Sequence, residues 1–243
     1  MVFHVVHSGD TIIFYPGQAA HWFNYEKLWP SIEKVLKPGG TVAFWVDFFA
    51  QPLSCRFLTN HDITIQGYSE FRVVGHPELT PLIDRYSKGA EALGPYWEQP
   101  GRSILDNHLV NIAFPSASTW DASSARRLYF AGEHNSQDIQ YQPLEALEHS
   151  VISDASQSSQ RELRTDVILK KTLAWEGMDS YLRTWSSLHS YHEKYPNDKA
   201  KQGQGTRGDI VDRFLGSLQE KVAGSREISI EWPLTLIMIK RAS

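Results

Sequence analysis

Between residues 28 and 45 the spacing of the apolar positions changes from helical to strand-like around one tight turn. Apolar residues recur every three or four positions over 28–36, which predicts a helix, and Lys34 and Lys37 are placed in its last turn, where cations suit the carbonyl end. Pro38, Gly39 and Gly40 then end the helix. The apolar, β-favouring run 41–45 predicts a buried parallel strand. A helix that returns through a tight turn into a buried strand is half of a βαβ unit.

The same spacing arguments predict the remaining elements, with an apolar run at 11–15 preceding them. Helices are predicted over 76–93, 103–110, 180–195 and 209–222. Strands are predicted over 127–131, 167–173 and 227–240. The Gln/Ser-rich range 132–164 is interpreted as a mobile surface excursion. Together these elements predict a single α/β domain over 1–243.

The range 46–66 fits neither helical nor strand periodicity. Its first residue, Val46, is encoded by codons beginning with GT, and its last, Gln66, by CAA or CAG. Introns begin with GT and end with AG, and an insertion of whole codons keeps the reading frame. We therefore interpret 46–66 as retained intron sequence. The alternative is a genuine surface loop, although structureless loops of this length are uncommon in compact domains.

Composition and charge narrow the class of protein. Of the 243 residues, 41% are hydrophobic and 12% aromatic, which is typical of a globular chain. The net charge is −4 without a long run of one sign, which argues against a nucleic-acid or membrane partner. Cys55 is the only cysteine and the N-terminus has no signal-peptide pattern, so we expect a cytoplasmic protein without an internal disulfide.

Two motifs flanking the first helix carry a resemblance to a known family. GQAAHWF at 17–23 precedes the helix and LKPGG at 36–40 follows it. At this spacing they resemble the fourth-strand exit, helix and fifth strand of a class I S-adenosylmethionine-dependent methyltransferase, most closely the trans-aconitate methyltransferase-like branch. Further matching segments are LGPYWE at 93–98, SYLRTWS at 180–186, GDIV at 208–211 and EWPL at 231–234.

The resemblance implies a partial class I methyltransferase sheet, Rossmann-like, with helical cap elements. It implies S-adenosyl-L-methionine as cofactor and a small-molecule acid as acceptor, methylated on a carboxylate oxygen. The family's glycine-rich turn, ribose-binding acidic residue and adenine-binding loop would all lie upstream of Gly17. From this we expect the chain as written to be N-terminally incomplete and to bind S-adenosylmethionine weakly or not at all.

The resemblance also assigns roles to the turn before the first helix. Gln18 and Ala19 would flank the cofactor, while His21 and Trp22 would face the acceptor. The alternative is that Trp22 is a core residue and His21 an ordinary turn residue. His21 is the one candidate general base, although methylation of an anionic carboxylate requires no proton to be removed.

Four later residues could form an aromatic wall of the acceptor pocket: Tyr96, Trp97, Trp185 and His189. Residues of these types are more often plain core. Arg102 or Arg183 could pair with a substrate carboxylate, although a structural ion pair is the commoner role.

Two further patterns are interpreted as non-functional. The segment 203–208 has the form G-x-G-x-x-G and opens a helix, but a helix end and a charged loop precede it in place of the strand that a cofactor loop needs. The HxxH pairs 4/7 and 189/192 lack a third ligand, so no metal is expected.

The sequence therefore predicts a methyltransferase acting on a small carboxylic acid. The alternative is a non-catalytic remnant of such an enzyme, or an interaction module. Cofactor binding separates the two.

Overall fold

A computed structural model describes residues 4–8, 11–15, 23–45, 52–53, 63–64, 70–132, 162–222 and 224–243. The chain forms two compact units, each built from separate stretches of sequence. Unit 1 contains 1–68, 103–168 and 233–243, and unit 2 contains 69–102 and 169–232. Within the described residues, no helix is long and apolar enough to cross a membrane.

Unit 1 is built on a six-stranded mixed sheet. Its strands are β1 (His4–Ser8), β2 (Thr11–Tyr15), β3 (Thr41–Trp45), β7 (Trp120–Phe130), β8 (Glu162–Thr165) and β11 (Leu234–Arg241). The order across the sheet is β1-β2-β3-β11-β7-β8. β2 is parallel to β3, β7 is parallel to β8, and β11 is antiparallel to both of its neighbours. Consequently β2, β3, β7 and β8 all run in one direction, whereas β1 and β11 run in the other.

Helix α1 (Tyr25–Glu33) connects the parallel strands β2 and β3. It begins at Asn24, whose side chain accepts a hydrogen bond from the Lys27 amide at 3.1 Å, as an N-cap residue should. The helix and the strand β3 are confirmed. The helix ends before the last turn that the sequence predicted, so Lys37 lies outside it, and Val35 is 56% exposed and does not share the apolar face.

The apolar face of α1 packs in a core cluster with residues from β3, β7 and β11. The buried members of this cluster are Trp29, Ile32, Leu36, Val42, Trp120, Ala125 and Ile239. Trp29 and Trp120 meet edge to face with ring centroids 5.4 Å apart. The pattern of apolar positions over 28–36 therefore predicted the buried face correctly except at Val35.

A second core cluster lies where the segment after helix α3 (Gly101–Asp106) packs on the central strand β11. Its buried members are Leu109, Ile112 and Ile237. The helix predicted over 103–110 exists but begins and ends earlier, and residues 107–111 form turns. His108 and Leu109 have φ angles of 51° and 58°, in the left-handed region that ends a right-handed helix.

Unit 2 combines a three-stranded antiparallel sheet with helices. The strands are β6 (Arg72–Val73), β10 (Glu227–Trp232) and β9 (Leu169–Ala174), in the order β6-β10-β9. The helices are α2 (Thr80–Lys88), α4 (Trp175–Arg183), α5 (Ser186–Lys194), α6 (Pro196–Lys199) and α7 (Ile210–Lys221). Short 3₁₀ turns cover Pro77–Leu79, Gly94–Tyr96 and Gly205–Arg207. The helix predicted over 76–93 is thus a 3₁₀ turn followed by α2, and the one predicted over 209–222 is α7.

The single helix predicted over 180–195 is wrong, because the chain breaks into α4 and α5 at Thr184 and Trp185. Trp185 has extended backbone, with φ −69° and ψ 127°, and its ring is buried. The Thr184 hydroxyl donates to the Tyr181 carbonyl at 2.7 Å, a local bond that competes with continued helix. Burial of the indole therefore prevails over helical periodicity here.

The single strand predicted over 227–240 is also wrong, because Pro233 divides it into β10 and β11. Proline has no amide hydrogen to give to a strand ladder. The two strands belong to different sheets, β10 to the sheet of unit 2 and β11 to that of unit 1.

Two sequence ranges interpreted as irregular contain short strands. Within 46–66 the described residues form a two-stranded pair, β4 (Pro52–Leu53) with β5 (Ile63–Thr64). Within 132–164 the last residues belong to β8. The other residues of both ranges lie outside the described part of the chain, apart from Gly132.

Candidate functional site

The turn that the resemblance assigns to the cofactor and the acceptor lies between two described elements. Gln18, Ala19, His21 and Trp22 themselves lie outside the described residues. The strand β2, at 11–15, ends just before this turn. The carboxyl ends of parallel strands are where open α/β sheets bind ligands.

The other predicted site residues lie in unit 2, and two of them touch. The rings of Trp97 and Trp185 lie 5.3 Å apart, and the Trp97 indole donates to the Ser87 carbonyl at 2.7 Å. Trp185 is only 1% exposed and packs among Phe71, Tyr86 and Tyr181. These contacts make Trp185 part of the aromatic core of unit 2.

Tyr96 lies in a separate cluster of tyrosines. Its ring meets that of Tyr191 at 5.3 Å, and its hydroxyl donates to the Tyr195 hydroxyl at 3.2 Å. That hydrogen bond holds the pKa of Tyr96 below its usual value. Lys194 lies 5.3 Å from the centre of the Tyr96 ring. His189 belongs to neither group: it is exposed, and its ring lies 3.3 Å from Glu193.

The two arginines considered as substrate anchors have partners in their own unit. Arg102 is buried, with its guanidinium carbon 4.3 Å from the centre of the Trp97 ring. Arg183 forms ion pairs with Asp179 at 2.9 Å, Asp209 at 2.7 Å and Asp212 at 2.7 Å. The structural role that the sequence favoured for Arg183 is therefore confirmed.

The G-x-G-x-x-G segment donates to a carboxylate of the chain itself. No strand precedes it, as the sequence predicted, but the short helix α6 occupies part of the range that was predicted to be a charged loop. The Gly203 amide donates to Asp212 at 2.7 Å, and the amide of Ile210, the first residue of α7, donates to Asp198 at 2.9 Å. Because these side chains occupy amides that a phosphate would need, the segment is a helix cap.

An open groove of about 430 Å³ runs beside this network in unit 2. Its lining includes Trp175, Glu176, Asp179, Thr206, Asp212 and Leu215. None of the four predicted site residues in unit 2 lines it. Two of its carboxylates, those of Asp179 and Asp212, are the ion-pair partners of Arg183, so the groove borders a structural network.

Sequence reasoning missed a polar group in unit 1, on the face of the sheet where β7 and β11 pair. Tyr129 and Thr235 are opposite each other on these strands, and Arg127 lies two residues before Tyr129. All three residues are buried. The run 127–131 was identified as a strand, but nothing in the sequence showed that β11 would pair with it.

No group of three or more His, Cys, Asp or Glu side chains in the described ranges is arranged to hold a metal ion. No known family model matches the chain.

Proposed function

We propose that this protein is an S-adenosylmethionine-dependent methyltransferase that methylates a small carboxylic acid. The observation that supports it best is the crossover from β2 through α1 to the parallel neighbour β3. The resemblance implies this arrangement for a fourth strand, its following helix and a fifth strand. The sheet is mixed, but the four strands β2, β3, β7 and β8 run in one direction, which agrees with it.

The crossover puts the turn at 17–23 directly after the carboxyl end of β2 in sequence. In this proposal Gln18 and Ala19 flank the cofactor, and His21 and Trp22 border the acceptor. The assignment of Tyr96 and Trp97 to an aromatic wall stays a prediction from the sequence.

The proposed reaction is an in-line displacement at the sulfonium methyl group. A carboxylate oxygen of the acceptor forms the new C–O bond as the C–S bond breaks. The sulfonium cation and the carboxylate anion become a neutral thioether and a neutral methyl ester, so no proton is transferred. The protein then has to hold two reactants in line, which is catalysis by proximity and orientation.

Transfer of a radioactive methyl group from S-adenosylmethionine to small carboxylic acids tests this proposal. The cofactor is supplied at millimolar concentration so that weak binding still gives a signal. Trp22→Ala should lower methyl ester formation by removing a wall of the acceptor site. Lys34→Ala, an exposed change just after α1, is the matched control and should leave the rate unchanged.

His21→Ala gives a second readout. If the histidine orients the anionic acceptor, its loss should mainly raise the KM for the acid. A folded chain, by circular dichroism, that neither binds the cofactor nor forms any ester would refute the proposal in favour of a non-catalytic interaction module.

A further inference from the structure

Three buried hydrogen-bond donors lie together on one face of the sheet in unit 1. They are the Arg127 Nε, the Tyr129 hydroxyl and the Thr235 hydroxyl. Tyr129 and Thr235 are direct cross-strand partners, so their Cβ atoms lie about 5 Å apart on the same face. Arg127, two residues earlier on β7, points to that face as well. Tyr129 and Thr235 are 0% exposed and Arg127 is 5% exposed.

None of these three atoms makes a hydrogen bond of normal geometry to a described residue. Most buried polar side-chain atoms in proteins have a partner. A buried group without one costs about 1–3 kcal/mol. Three such groups on one pair of strands therefore need an explanation.

The rest of the Arg127 guanidinium is fixed. Its Nη1 donates to Glu162 on β8 at 2.7 Å, and its Nη2 donates to the Ile112 carbonyl at 2.7 Å. Burial raises the pKa of the Tyr129 hydroxyl and the Glu162 charge adds to the rise, whereas the Arg127 charge and a weak hydrogen-bond contact with the Arg127 side chain oppose it. The cation and the phenol are thus close enough to act on one ligand.

The chemistry of the three groups selects an anion. A guanidinium N–H only donates, and it carries positive charge. Each hydroxyl can donate one more hydrogen bond to an oxygen. Charged N–H groups bind carboxylate and phosphate oxygens more strongly than neutral acceptors. A cation would be repelled by Arg127.

The group lies near the end of the sheet where a ligand is expected. Tyr129 is the penultimate residue of β7, which runs parallel to β3 and β8, so it lies close to their carboxyl ends. The turn at 107–112 packs on this face. The His108 ring meets the Tyr129 ring edge on, with centroids 6.4 Å apart, and Ile112 belongs to the same core cluster as Ile237.

This turn contains the two consecutive left-handed residues His108 and Leu109. Non-glycine residues adopt this conformation only when their surroundings impose it, and such strain is found often at ligand-binding sites. The turn is fastened by the bond from Arg127 to the Ile112 carbonyl. Movement of this turn would expose the donors and release one of the two bonds that fix the guanidinium.

We infer that Arg127, Tyr129 and Thr235 form a binding site for a small oxyanion, a carboxylate or a phosphate, covered by the turn at 107–112. The site lies apart from the turn at 17–23 in sequence. It does not depend on methyl transfer, and it stands whether or not the protein is a methyltransferase.

Isothermal titration calorimetry of the full chain with sodium phosphate, and separately with citrate, tests the inference at constant ionic strength in chloride. The wild-type protein should bind at least one of the two anions. Tyr129→Phe and Thr235→Val should each weaken that binding roughly tenfold, since each removes one donor. Binding of citrate alone would identify a carboxylate ligand, and binding of phosphate alone would identify a phosphate ligand.

Thr165→Val is the matched control. Its hydroxyl is also buried without a partner, but Thr165 pairs with Phe130, the neighbour of Tyr129, and therefore lies on the opposite face. All three variants remove a hydroxyl of this kind, so all three should keep or raise the melting temperature. Only Tyr129→Phe and Thr235→Val should weaken anion binding.

Three outcomes would overturn the inference. The first is that the wild type binds neither anion, which would mean that internal water satisfies the donors. The second is that Tyr129→Phe and Thr235→Val bind the anion within twofold of the wild-type affinity. A large drop in melting temperature in both variants would show that the hydroxyls have structural partners.

Discussion

Arg183 in unit 2 and Arg127 in unit 1 are both largely buried, with side chains 17% and 6% exposed. Their hydrogen-bonding surroundings differ. Arg183 is surrounded by three carboxylates, and its Nε, Nη1 and Nη2 all donate to one of them. Arg127 has one carboxylate and one carbonyl as partners, and its Nε has none among the described residues. The groups around Arg183 are mainly hydrogen-bond acceptors, whereas the hydroxyls of Tyr129 and Thr235 beside Arg127 are two further buried donors.

The difference separates a structural cluster from a candidate ligand site. In the Arg183 cluster the carboxylates also cap α7, because Asp209 accepts from the Asp212 amide at 3.0 Å and Asp212 accepts from the Asp209 amide at 3.2 Å. Its donors and acceptors are matched within the chain. In the Arg127 group three polar atoms have no hydrogen-bond partner among the described residues, which is the basis for inferring an acceptor from outside the chain. A buried arginine therefore indicates a ligand site only when the hydrogen-bond donors and acceptors around it are also counted.

Removal of the central cation should have the largest effect on stability. Arg183→Met leaves the fully buried Asp209 carboxylate without its charged partner. Breaking a buried ion pair by removing one member costs about 3–5 kcal/mol, so the free energy of unfolding should fall by that amount. Urea denaturation followed by circular dichroism measures it.

Arg213→Met is the matched control for this change. Arg213 pairs with Asp198 at 2.8 Å and donates to the Gly208 carbonyl at 2.6 Å, but its side chain is 42% exposed against 17% for Arg183. Exposed ion pairs are worth about 0–1 kcal/mol, so this variant should unfold at nearly the wild-type urea concentration. Equal, small losses in both variants would contradict the structural role of the Arg183 cluster.

Parts of this cluster could be predicted from the sequence because they are local. The apolar positions of α7 recur at helical spacing, and Asp209 stands immediately before Ile210 as an N-cap residue should. The strand β3 was predicted for the same reason, since its apolar run directly follows a proline–glycine turn. Features that depend on residues close together in the sequence can be predicted from it.

The other features depend on contacts between distant residues. The break at Trp185 follows from burial of its ring beside Phe71 and Tyr86, whereas local spacing favoured a continuous helix. The pairing of Thr235 with Tyr129 joins strands separated by most of unit 2 in sequence. Pro233 was the one local signal that the strand over 227–240 had to break, and the surrounding apolar run obscured it.

A change in the G-x-G-x-x-G segment should have an intermediate effect. A Cβ added at Gly208 would overlap Asp212 Oδ2 and lie 2.6 Å from Asp212 Cβ, so Gly208→Ala must displace that side chain. Loss of a helix cap costs about 1–2 kcal/mol, and the thermal unfolding midpoint should fall accordingly.

Gly177→Ala is the control for this substitution. Gly177 lies in α4, and its added Cβ would make only ordinary contact with Leu173, at 3.6 Å. Alanine is favoured over glycine inside a helix by about 0.5–1 kcal/mol, so this variant should be unchanged or more stable. If Gly208→Ala were tolerated equally well, Asp212 would not be needed as the cap.

The smallest expected effect is a pH dependence at the edge of the same cluster. His192 is buried, and its Nε2 lies 3.4 Å from Asp209 Oδ2. Burial lowers its pKa below 6.5, as do the charges of Lys199 and Arg183, while Asp209 and Asp198 partly oppose the shift. The unfolded chain therefore takes up this proton first as the pH falls.

The contribution of neutral His192 to the free energy of unfolding is complete above pH 6.5 and is lost as the pH drops through the lower pKa of the folded state. One proton gives a slope of at most about 1.4 kcal/mol per pH unit. His192→Gln should flatten the dependence of unfolding free energy on pH between about pH 7 and pH 5. Parallel curves for the variant and the wild type would show instead that His192 has the same pKa in the folded and the unfolded chain. His192 would then not belong to the Arg183 cluster.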